Sequence, residues 1–316
     1  MSLGVGGLAA LVAVIWGVCF VLIQASLPSP APLLIAGLRA LIGGGVLVAW
    51  LVASRGLPPA RGALPDGGAL LDARRSWRLP SLPTLVVLAL ANAAVAFGAM
   101  YLAAGRAEAA VASILAGGQP LVLAAAGWAL FGERTSPRMV AGLLVAMAGV
   151  TLVATTSSGA TTPDGVALAL LASAAPAGGT VVMRRLGQRV DLGTTTAVQF
   201  LLGGGLLVAA SALIEPWDQL SWTSGLVAGL LVLGVLGTGV AYVAWFGLLA
   251  RIPLARLGAA LFLVPVTGFV AGILTGDRPA TVELTGIAIV LAGLGIVSLG
   301  EIVEGRLAAV RARRPS

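Results

Sequence analysis

Long apolar runs separated by short polar stretches dominate the chain. A bilayer core about 30 Å thick is crossed by about 20 apolar residues in a helix, because backbone amides cannot stay unpaired in lipid. Windows of that length recur from one end of the sequence to the other. The pattern predicts ten membrane-spanning helices, near 4–26, 31–54, 82–104, 109–131, 139–157, 165–184, 193–214, 225–249, 254–275 and 284–302.

The composition agrees with that pattern. Hydrophobic residues make up 59% of the 316 residues and charged residues 10%, and the mean hydropathy is +1.04. Soluble domains are about 45–50% apolar and about 25% charged. The net charge of +7 comes from arginines scattered between apolar runs, so no nucleic-acid partner is expected. We therefore expect an all-α polytopic membrane protein in contact with the lipid bilayer.

The arginines predict how the chain is threaded through the membrane. All 19 basic residues are arginines, and sixteen of them follow even-numbered predicted helices or lie in the C-terminal tail. Only Arg106 and Arg278 follow odd-numbered helices, and Arg39 lies inside a helix. Cytoplasmic loops retain basic residues. The distribution predicts a multi-pass protein of the cell (cytoplasmic) membrane with both termini in the cytoplasm.

Two motifs occur twice along the chain. "RALIGGGVLVA" from Arg39 is similar to "QFLLGGGLLVA" from Gln199, at a separation of 160 residues. "GERTSPRMVAGLLVAMAGV" from Gly132 is similar to "GDRPATVELTGIAIVLAGL" from Gly276, at a separation of 144 residues. The first motif matches helix 2 with helix 7, and the second matches helices 4 and 5 with helices 9 and 10.

These matches divide the chain into two five-helix repeats, residues 1–157 and 158–302, followed by a basic cytoplasmic tail at 303–316. Five is an odd number, so the second repeat begins on the opposite side of the membrane and the halves are inverted relative to each other. Such halves can exchange inward-open and outward-open arrangements around a site near the bilayer midplane. The organisation therefore favours a carrier.

Glycine is frequent, with 44 residues, and many glycines recur at helical spacings, such as Gly225/Gly229 and Gly286/Gly293. Small residues allow membrane helices to approach closely. We expect close helix contacts at these positions, with ordinary membrane-helix packing as the alternative for any single pair.

The repeated motifs are accompanied by "WGVCF" at 16–20, "GLRALIGGG" around Arg39 and the passage from Pro120 to "GER". In these stretches together, the sequence resembles the drug/metabolite transporter superfamily. Within it, the sequence is most similar to the ten-helix EamA-type branch. The resemblance implies secondary transport of small organic metabolites, often outward, with amino acids and related compounds among the substrates. The second repeat departs from the pattern, because Gln199 replaces the arginine and Asp277 replaces Glu133.

The sequence offers little for catalysis. It contains no histidine and no lysine, which removes the commonest proton shuttle and any Walker A phosphate loop. All carboxylates lie in predicted loops or near helix ends, so coupling to protons would require Glu108, Glu133 or Glu283 to act from an interface. We predict no enzymatic activity, no cofactor and no metal site. A membrane-embedded enzyme or a channel stays as the alternative, and facilitated or exchange transport is as consistent with the sequence as proton coupling.

Polar and aromatic side chains inside the predicted helices are the candidates for a substrate pathway. The amides need partners in lipid, and hydrogen bonds between helices are the alternative explanation for them. The aromatic rings would stack on a flat solute, or two of them would form an interface belt. The pathway candidates are Trp16, Arg39, Asn92, Tyr101, Gln119, Gln199, Tyr242 and Trp245, and the hinge candidates are Pro120, Pro176 and Pro265.

Arg39 lies about eight residues inside predicted helix 2, or roughly 12 Å along the axis at 1.5 Å per residue. That depth is too great for the side chain to reach the headgroups, so it should face protein or water. Arg39 would either bind a substrate carboxylate or clamp helices together. The clamp is the interpretation that the sequence favours, because the resemblance extends to transporters of diverse substrates.

Overall fold

The computed structural model describes residues 3–26, 29–55, 78–104, 119–133, 135–154, 162–274 and 280–312. In those ranges all regular structure is helical. The helices are α1 (Leu3–Ser26), α2 (Pro32–Arg55), α3 (Leu82–Ala89, Leu90–Val95 and Ala96–Ala104), α4 (Gln119–Phe131), α5 (Pro137–Ala154), α6 (Pro163–Leu186), α7 (Leu192–Ile214), α8 (Ser224–Gly234, Val235–Val240 and Ala241–Leu249), α9 (Leu254–Leu261 and Leu263–Leu274) and α10 (Thr281–Ala312).

These ten helices correspond one to one with the ten predicted spans, which confirms the all-α polytopic fold. Within the described residues, six regions are long and apolar enough to cross a membrane, and they lie in α2, α3, α6, α7, α8 and α9. The other four helices contain shorter apolar stretches. Large apolar side chains such as Trp128 and Leu213 are exposed on the outside of the bundle, where lipid would cover them.

The predicted start of the fourth span, 109–118, lies outside the described residues, as does most of the loop at 55–81. Two details of the described helices differ from the predicted bounds. The ninth span is interrupted at Phe262. The tenth continues to Ala312, so most of the predicted tail is helical.

Two helices each contain a π-helical turn. In α3 the turn spans Leu90–Val95, and in α8 it spans Val235–Val240, 145 residues further along the chain. A π turn contains one more residue than an α-helical turn. Such turns are rare in proteins, and those that do occur are often found at functional sites. The third helix of each predicted repeat therefore carries the same irregularity at the corresponding position.

The helix contacts also correspond between the two halves. The pairs α2–α7, α4–α9 and α5–α10 pack along each other. Helix α1 packs against α9 and α8, and α6 packs against α4 and α3. Helix α2 contacts α8, and α7 contacts α3. When each helix is exchanged for its counterpart five places along the chain, this set of contacts maps onto itself.

Glycines bring α2 and α7 together in a reciprocal way. A Cβ added to Gly44 would lie 3.0 Å from the carbonyl oxygen of Ala197, and one added to Gly204 would lie 2.9 Å from that of Gly37. Each glycine and each carbonyl is 160 residues from its counterpart. The neighbouring Gly45 has open space around it. The repeated glycines thus have distinct roles according to the face they occupy.

The predicted glycine contacts hold for α5 and α10 but not everywhere. A Cβ on Gly293 would lie 2.6 Å from the Gly142 carbonyl oxygen, and one on Gly142 would lie 2.8 Å from that of Gly293. In contrast, a Cβ added to Gly229 would have no atom within 4 Å, and one added to Gly225 would meet only the side chain of Thr223, two residues earlier in the chain. The contact predicted from the Gly225/Gly229 spacing is wrong, because that face of α8 is exposed.

Candidate functional site

Arg39 lies at the centre of the bundle and is only 3% exposed. Its Nε donates a hydrogen bond to Thr238 Oγ1 at 3.1 Å. Its guanidinium carbon lies 4.5 Å from the centroid of the Phe97 ring, a cation–π contact. Its Nη1 is buried without a hydrogen-bond partner, and among the described residues no carboxylate forms a salt bridge with it. Within the described part of the chain, the charge is therefore only partly compensated.

The π turn of α8 forms one wall around Arg39. Thr238 Oγ1, which accepts from Arg39, donates to the Leu233 carbonyl at 3.1 Å. The carbonyl of Gly237 accepts a hydrogen bond from Trp16 Nε1 at 3.0 Å. A Cβ on Gly237 would overlap the sulfur of Cys19 and would lie 3.4 Å from Arg39 Nη2. The lack of a side chain at Gly237 lets α1, α2 and α8 meet at this point.

A second polar pair occupies the corresponding place in the other half. Asn92 Nδ2 donates to Gln199 Oε1 at 3.1 Å, and both residues are completely buried. Asn92 belongs to the π turn of α3, and Gln199 is the counterpart of Arg39. Asn92 Oδ1 and Gln199 Nε2 have no hydrogen-bond partner. The two amides thus form an interhelical hydrogen bond, as the alternative explanation from the sequence required.

Six aromatic rings form a cluster beside Arg39. The Tyr242 ring lies 4.6 Å from Phe200 and 5.3 Å from Trp16, centroid to centroid. Trp245 lies 5.2 Å from Trp16, and Phe97 stacks on Phe200 at 5.7 Å. Tyr242 and Trp245 are 8% and 2% exposed, so they belong to the core and not to an interface belt. The aromatic cluster comprises Trp16, Phe97, Phe200, Tyr242, Trp245 and Phe246.

Tyr101 adds a second buried polar group near the guanidinium. The side chain is buried, and its hydroxyl interacts electrostatically with Arg39. The hydroxyl does not have the geometry of a hydrogen bond to any described residue. Gln119, by contrast, is the half-buried first residue of α4 as described.

The three hinge candidates occupy different environments. Pro120 packs against α9, where a Cβ on Gly258 would lie 3.0 Å from the Pro120 Cα. Pro176 lies inside α6, which stays continuous, and its carbonyl accepts from Thr180 Oγ1 at 2.8 Å. The interruption of α9 at Phe262 falls one turn before Pro265, as expected for a proline that removes a backbone donor.

An apolar crevice between α1, α8 and α9 reaches the aromatic cluster. Trp16 and Trp245 line it, together with Leu248 of α8 and Ala9 of α1. From there, ring contacts run through Tyr242 to Phe200 and Phe97 and end at Arg39. Ring contacts thus link residues that line the crevice to the polar centre.

Glu133 joins three helix ends in a group of contacts that we call the Glu133 clasp. Its Oε1 accepts from Arg184 Nη2 at 2.8 Å, and its Oε2 accepts from the Leu254 backbone amide at 2.7 Å. Arg184 Nη1 also donates to the carbonyls of Leu249 and Ile252. The clasp links the end of α4 to the end of α6 and to the junction of α8 and α9.

Glu215 forms a second group of contacts, the Glu215 clasp. Its Oε1 and Oε2 accept from the backbone amides of Leu33 and Leu34 at 2.8 and 3.0 Å, which caps the start of α2. Ser211 Oγ donates to Glu215 and accepts from Trp217 Nε1. Because α8 begins shortly after Glu215 and ends beside Glu133, the two clasps lie at opposite ends of the bundle.

Sequence reasoning missed both clasps. It considered Glu133 only as a group that would couple transport to protons from an interface, and it did not single out Glu215. Carboxylates favour helix N-termini, but the helix that each one caps is far away in sequence, at Leu254 and at Leu33. No local pattern identifies such a partner.

The ten helices, their apolar outer faces and their buried centre define a polytopic α-helical membrane protein. The chain belongs to the EamA-like transporter family, whose sequence profile matches residues 5–155 and 164–299. A solved crystal structure of a protein has the same fold, with a TM-score of 0.74 and 22% identity over 94% of this chain and 96% of its own.

Named relatives are similar over almost their whole length. The uncharacterized transporter YvbV of Bacillus subtilis is 28% identical over 92% of this chain and 90% of its own length. Protein PecM of Dickeya dadantii is 27% identical over 90% and 88%. A probable amino-acid metabolite efflux pump of Salmonella typhimurium is 28% identical over 95% and 96%. The family and these names indicate a membrane transporter and not an enzyme.

Proposed function

We propose that the protein is a secondary transporter that exports small organic metabolites, such as amino acids or related compounds, across the cytoplasmic membrane. The efflux pump of Salmonella typhimurium, similar along its full length, supports both the direction and the substrate class. The sequence has neither a Walker A lysine nor any other lysine, so this chain does not use ATP through such a loop. Transport is then driven by a solute or ion gradient.

The observation that carries this proposal is the reciprocal set of helix contacts. Two five-helix repeats, 1–157 and 158–302, would be inverted relative to each other and would meet through α2–α7, α4–α9 and α5–α10. In alternating access, the contacts that α1 makes with α8 and α9 exchange roles with those that α6 makes with α3 and α4. The polar centre then opens first to one side of the membrane and afterwards to the other.

The Glu133 clasp has a defined place in that cycle. It lies at the end of the bundle that the arginine distribution assigns to the cytoplasm, where it joins α4, α6, α8 and α9. A solute leaving the cytoplasm can reach the centre only when these helix ends separate. Breaking the contact between Glu133 and Arg184 is therefore part of opening towards the cytoplasm.

Transport by the purified protein in proteoliposomes tests the proposal. Uptake of radiolabelled L-phenylalanine, L-leucine, L-threonine and uracil would be measured with and without an imposed pH gradient, against protein-free vesicles. We expect saturable uptake of at least one solute, and stimulation by the gradient would show proton coupling. Uptake equal to that of protein-free vesicles for every solute would contradict the proposal, as would an unsaturable ion conductance.

A further inference from the structure

Exposed arginines lie beside the Glu133 clasp. Arg185 is the last residue but one of α6 and directly follows Arg184 of the clasp, and Arg189 ends the short helical turn after α6. Arg251 lies in the turn between α8 and α9. The side chains of Arg185, Arg189 and Arg251 are all exposed. Two separate stretches of the chain thus contribute positive charge to the same end of the bundle.

The clasp itself brings these two stretches together. Arg184 Nη1 donates to the backbone carbonyls of Leu249 and Ile252. Those carbonyls lie on either side of Arg251 in the chain. The turn that carries Arg251 is therefore held directly against the end of α6, where Arg185 is the next residue. The guanidinium of Arg184 is used for this connection, whereas Arg185 and Arg251 are exposed beside it.

The acidic side chains described at this end of the bundle are already bound within the protein. Glu133 pairs with Arg184 at 2.8 Å. Asp191 caps the start of α7, where it accepts a hydrogen bond from a backbone amide of the first turn. Among the residues whose side chains the structure describes, the three exposed arginines form no salt bridge. Within that part of the chain, this surface therefore carries a net positive charge.

A tryptophan indicates the depth of this surface in the membrane. Trp128 of α4 is 69% exposed, and it follows Gly127, where an added Cβ would lie 2.6 Å from Glu133 Oε2. Tryptophans are enriched at the headgroup level of a bilayer. The Glu133 clasp and the arginines beside it therefore lie at the level of the phospholipid phosphates. The arginine distribution assigns this end of the bundle to the cytoplasm.

We propose that an anionic phospholipid binds here, with its phosphate between Arg185 on α6 and Arg251 on the turn between α8 and α9. Arginine binds phosphate oxygens through paired, charge-assisted hydrogen bonds. Arg189 adds positive charge at the edge of the site. Basic surfaces between transmembrane helices on the cytoplasmic side bind anionic headgroups. The ligand is a lipid with a net negative headgroup, such as phosphatidylglycerol, and not a zwitterionic one.

The site spans helix ends that separate during transport. This consequence, unlike the lipid site itself, rests on the proposed function, in which α6 moves away from α8 and α9 on opening towards the cytoplasm. A lipid held by both Arg185 and Arg251 binds more tightly while the Glu133 clasp is closed. A ligand that binds one state more tightly shifts the equilibrium towards that state. Anionic lipid therefore favours the arrangement that is closed to the cytoplasm.

Native mass spectrometry of the full-length protein in detergent tests the lipid site. The protein would be titrated with phosphatidylglycerol and, separately, with phosphatidylcholine. We expect at least tenfold tighter binding of phosphatidylglycerol, because each arginine near an anionic headgroup contributes about fivefold in affinity. Excess ammonium phosphate should leave the bound phosphatidylglycerol in place. Equal affinity for the two lipids would overturn the proposal, and so would displacement by phosphate, which would indicate a site for the free anion.

Single substitutions then locate the site. Arg185→Gln and Arg251→Gln should each weaken phosphatidylglycerol binding about fivefold and leave phosphatidylcholine binding unchanged. Arg138→Gln is the matched control, because Arg138 is an exposed arginine at the start of α5, which packs along α10. The control should keep the wild-type affinity. Equal weakening in all three variants would show a general attraction to surface charge and would overturn the site, as would wild-type affinity in both Arg185→Gln and Arg251→Gln.

Thiol labelling in nanodiscs tests the effect on opening. On a Cys19→Ala background, Leu254→Cys places a thiol at a completely buried position of the Glu133 clasp and keeps the backbone amide. Maleimide should react more slowly in phosphatidylglycerol than in phosphatidylcholine, and the difference should disappear when Arg185→Gln and Arg251→Gln are combined. A difference that persists in that variant would contradict the effect.

The lipid site and the transport function fail in different ways. If phosphatidylglycerol binds at the two arginines but labelling is equally fast in both lipids, the lipid site stands and its effect on opening is wrong. If phosphatidylglycerol binds but no solute crosses the membrane of proteoliposomes, the transport function is wrong. If solutes are transported and the two lipids bind equally, the transport function stands without the lipid site.

Discussion

Among the described residues, the Thr238 hydroxyl is the group that orients Arg39. That hydroxyl accepts from Arg39 and in turn donates to the Leu233 carbonyl oxygen, which lies within hydrogen-bonding distance because of the π turn. The orientation of the guanidinium is thereby fixed from one side, and its Nη1 is buried without a hydrogen-bond partner among the described residues.

Glu133 provides a test at the residue scale. Glu133→Gln keeps the shape of the side chain but removes the negative charge that accepts hydrogen bonds from Arg184 and from the Leu254 amide. Since the pair is partly buried, with 25% and 13% of its side chains exposed, we expect a loss of about 1–3 kcal/mol in the free energy of unfolding. Thermal unfolding in detergent micelles would measure the loss.

Asp218→Asn is the matched control, because Asp218 is an exposed carboxylate at the other end of the bundle. Its substitution should change the stability by less than about 0.5 kcal/mol. If Glu133→Gln is as stable as Asp218→Asn, the Glu133 clasp does not hold the helix ends together.

At the scale of single helices, the π turns of α3 and α8 each pack closely against a helix of the other half. A Cβ on Gly203 of α7 would lie 2.5 Å from Ala93 Cβ and 2.6 Å from the Ala89 carbonyl oxygen in and beside the turn of α3. A Cβ on Gly43 of α2 would lie 2.6 Å from Thr238 Cβ, in the turn of α8. Each π turn thus packs against a glycine of the repeated motif.

Substitution within one glycine triplet tests this fit. Gly203→Ala inserts a methyl group against the backbone of α3, and overpacking of that kind typically costs about 1–3 kcal/mol. Gly205→Ala lies two residues further along the same helix with nothing within 4 Å, so it should be neutral or stabilising. Unfolding in detergent would compare the two variants, and equal stabilities would contradict the close packing of α3 on α7.

The sequence was sufficient to predict most of the helices, because the apolar runs are long and a bilayer requires a helix for each. It could not predict the π turns, since an extra residue in the turn changes neither the hydropathy nor the residue types around Asn92. It identified Arg39, Asn92 and Gln199 as unusual in lipid, but Thr238 carries no such signal. The pairing of these groups depends on helix contacts that no local pattern contains.

For the molecule as a whole, the inverted arrangement of the two halves predicts which helix ends face the cytoplasm and which face the exterior. The start of α5 should be cytoplasmic and the end of α7 external, and exposed Arg138 and Asp218 mark these places. The only native cysteine is Cys19, so its replacement by alanine gives a background for single cysteines. A membrane-impermeant maleimide on intact cells should label Asp218→Cys, and should label Arg138→Cys only after permeabilisation. Labelling of both from the same side would contradict the inverted arrangement.

Solute counterflow is the most direct test of the claim that the two halves alternate around one site. Proteoliposomes would be loaded with unlabelled L-phenylalanine and diluted into a trace of the radiolabelled form. An alternating-access transporter exchanges one solute for the other, so the label should accumulate transiently above its equilibrium level and then decline. A monotonic approach to equilibrium, as through a channel, or a time course equal to that of protein-free vesicles would contradict the account.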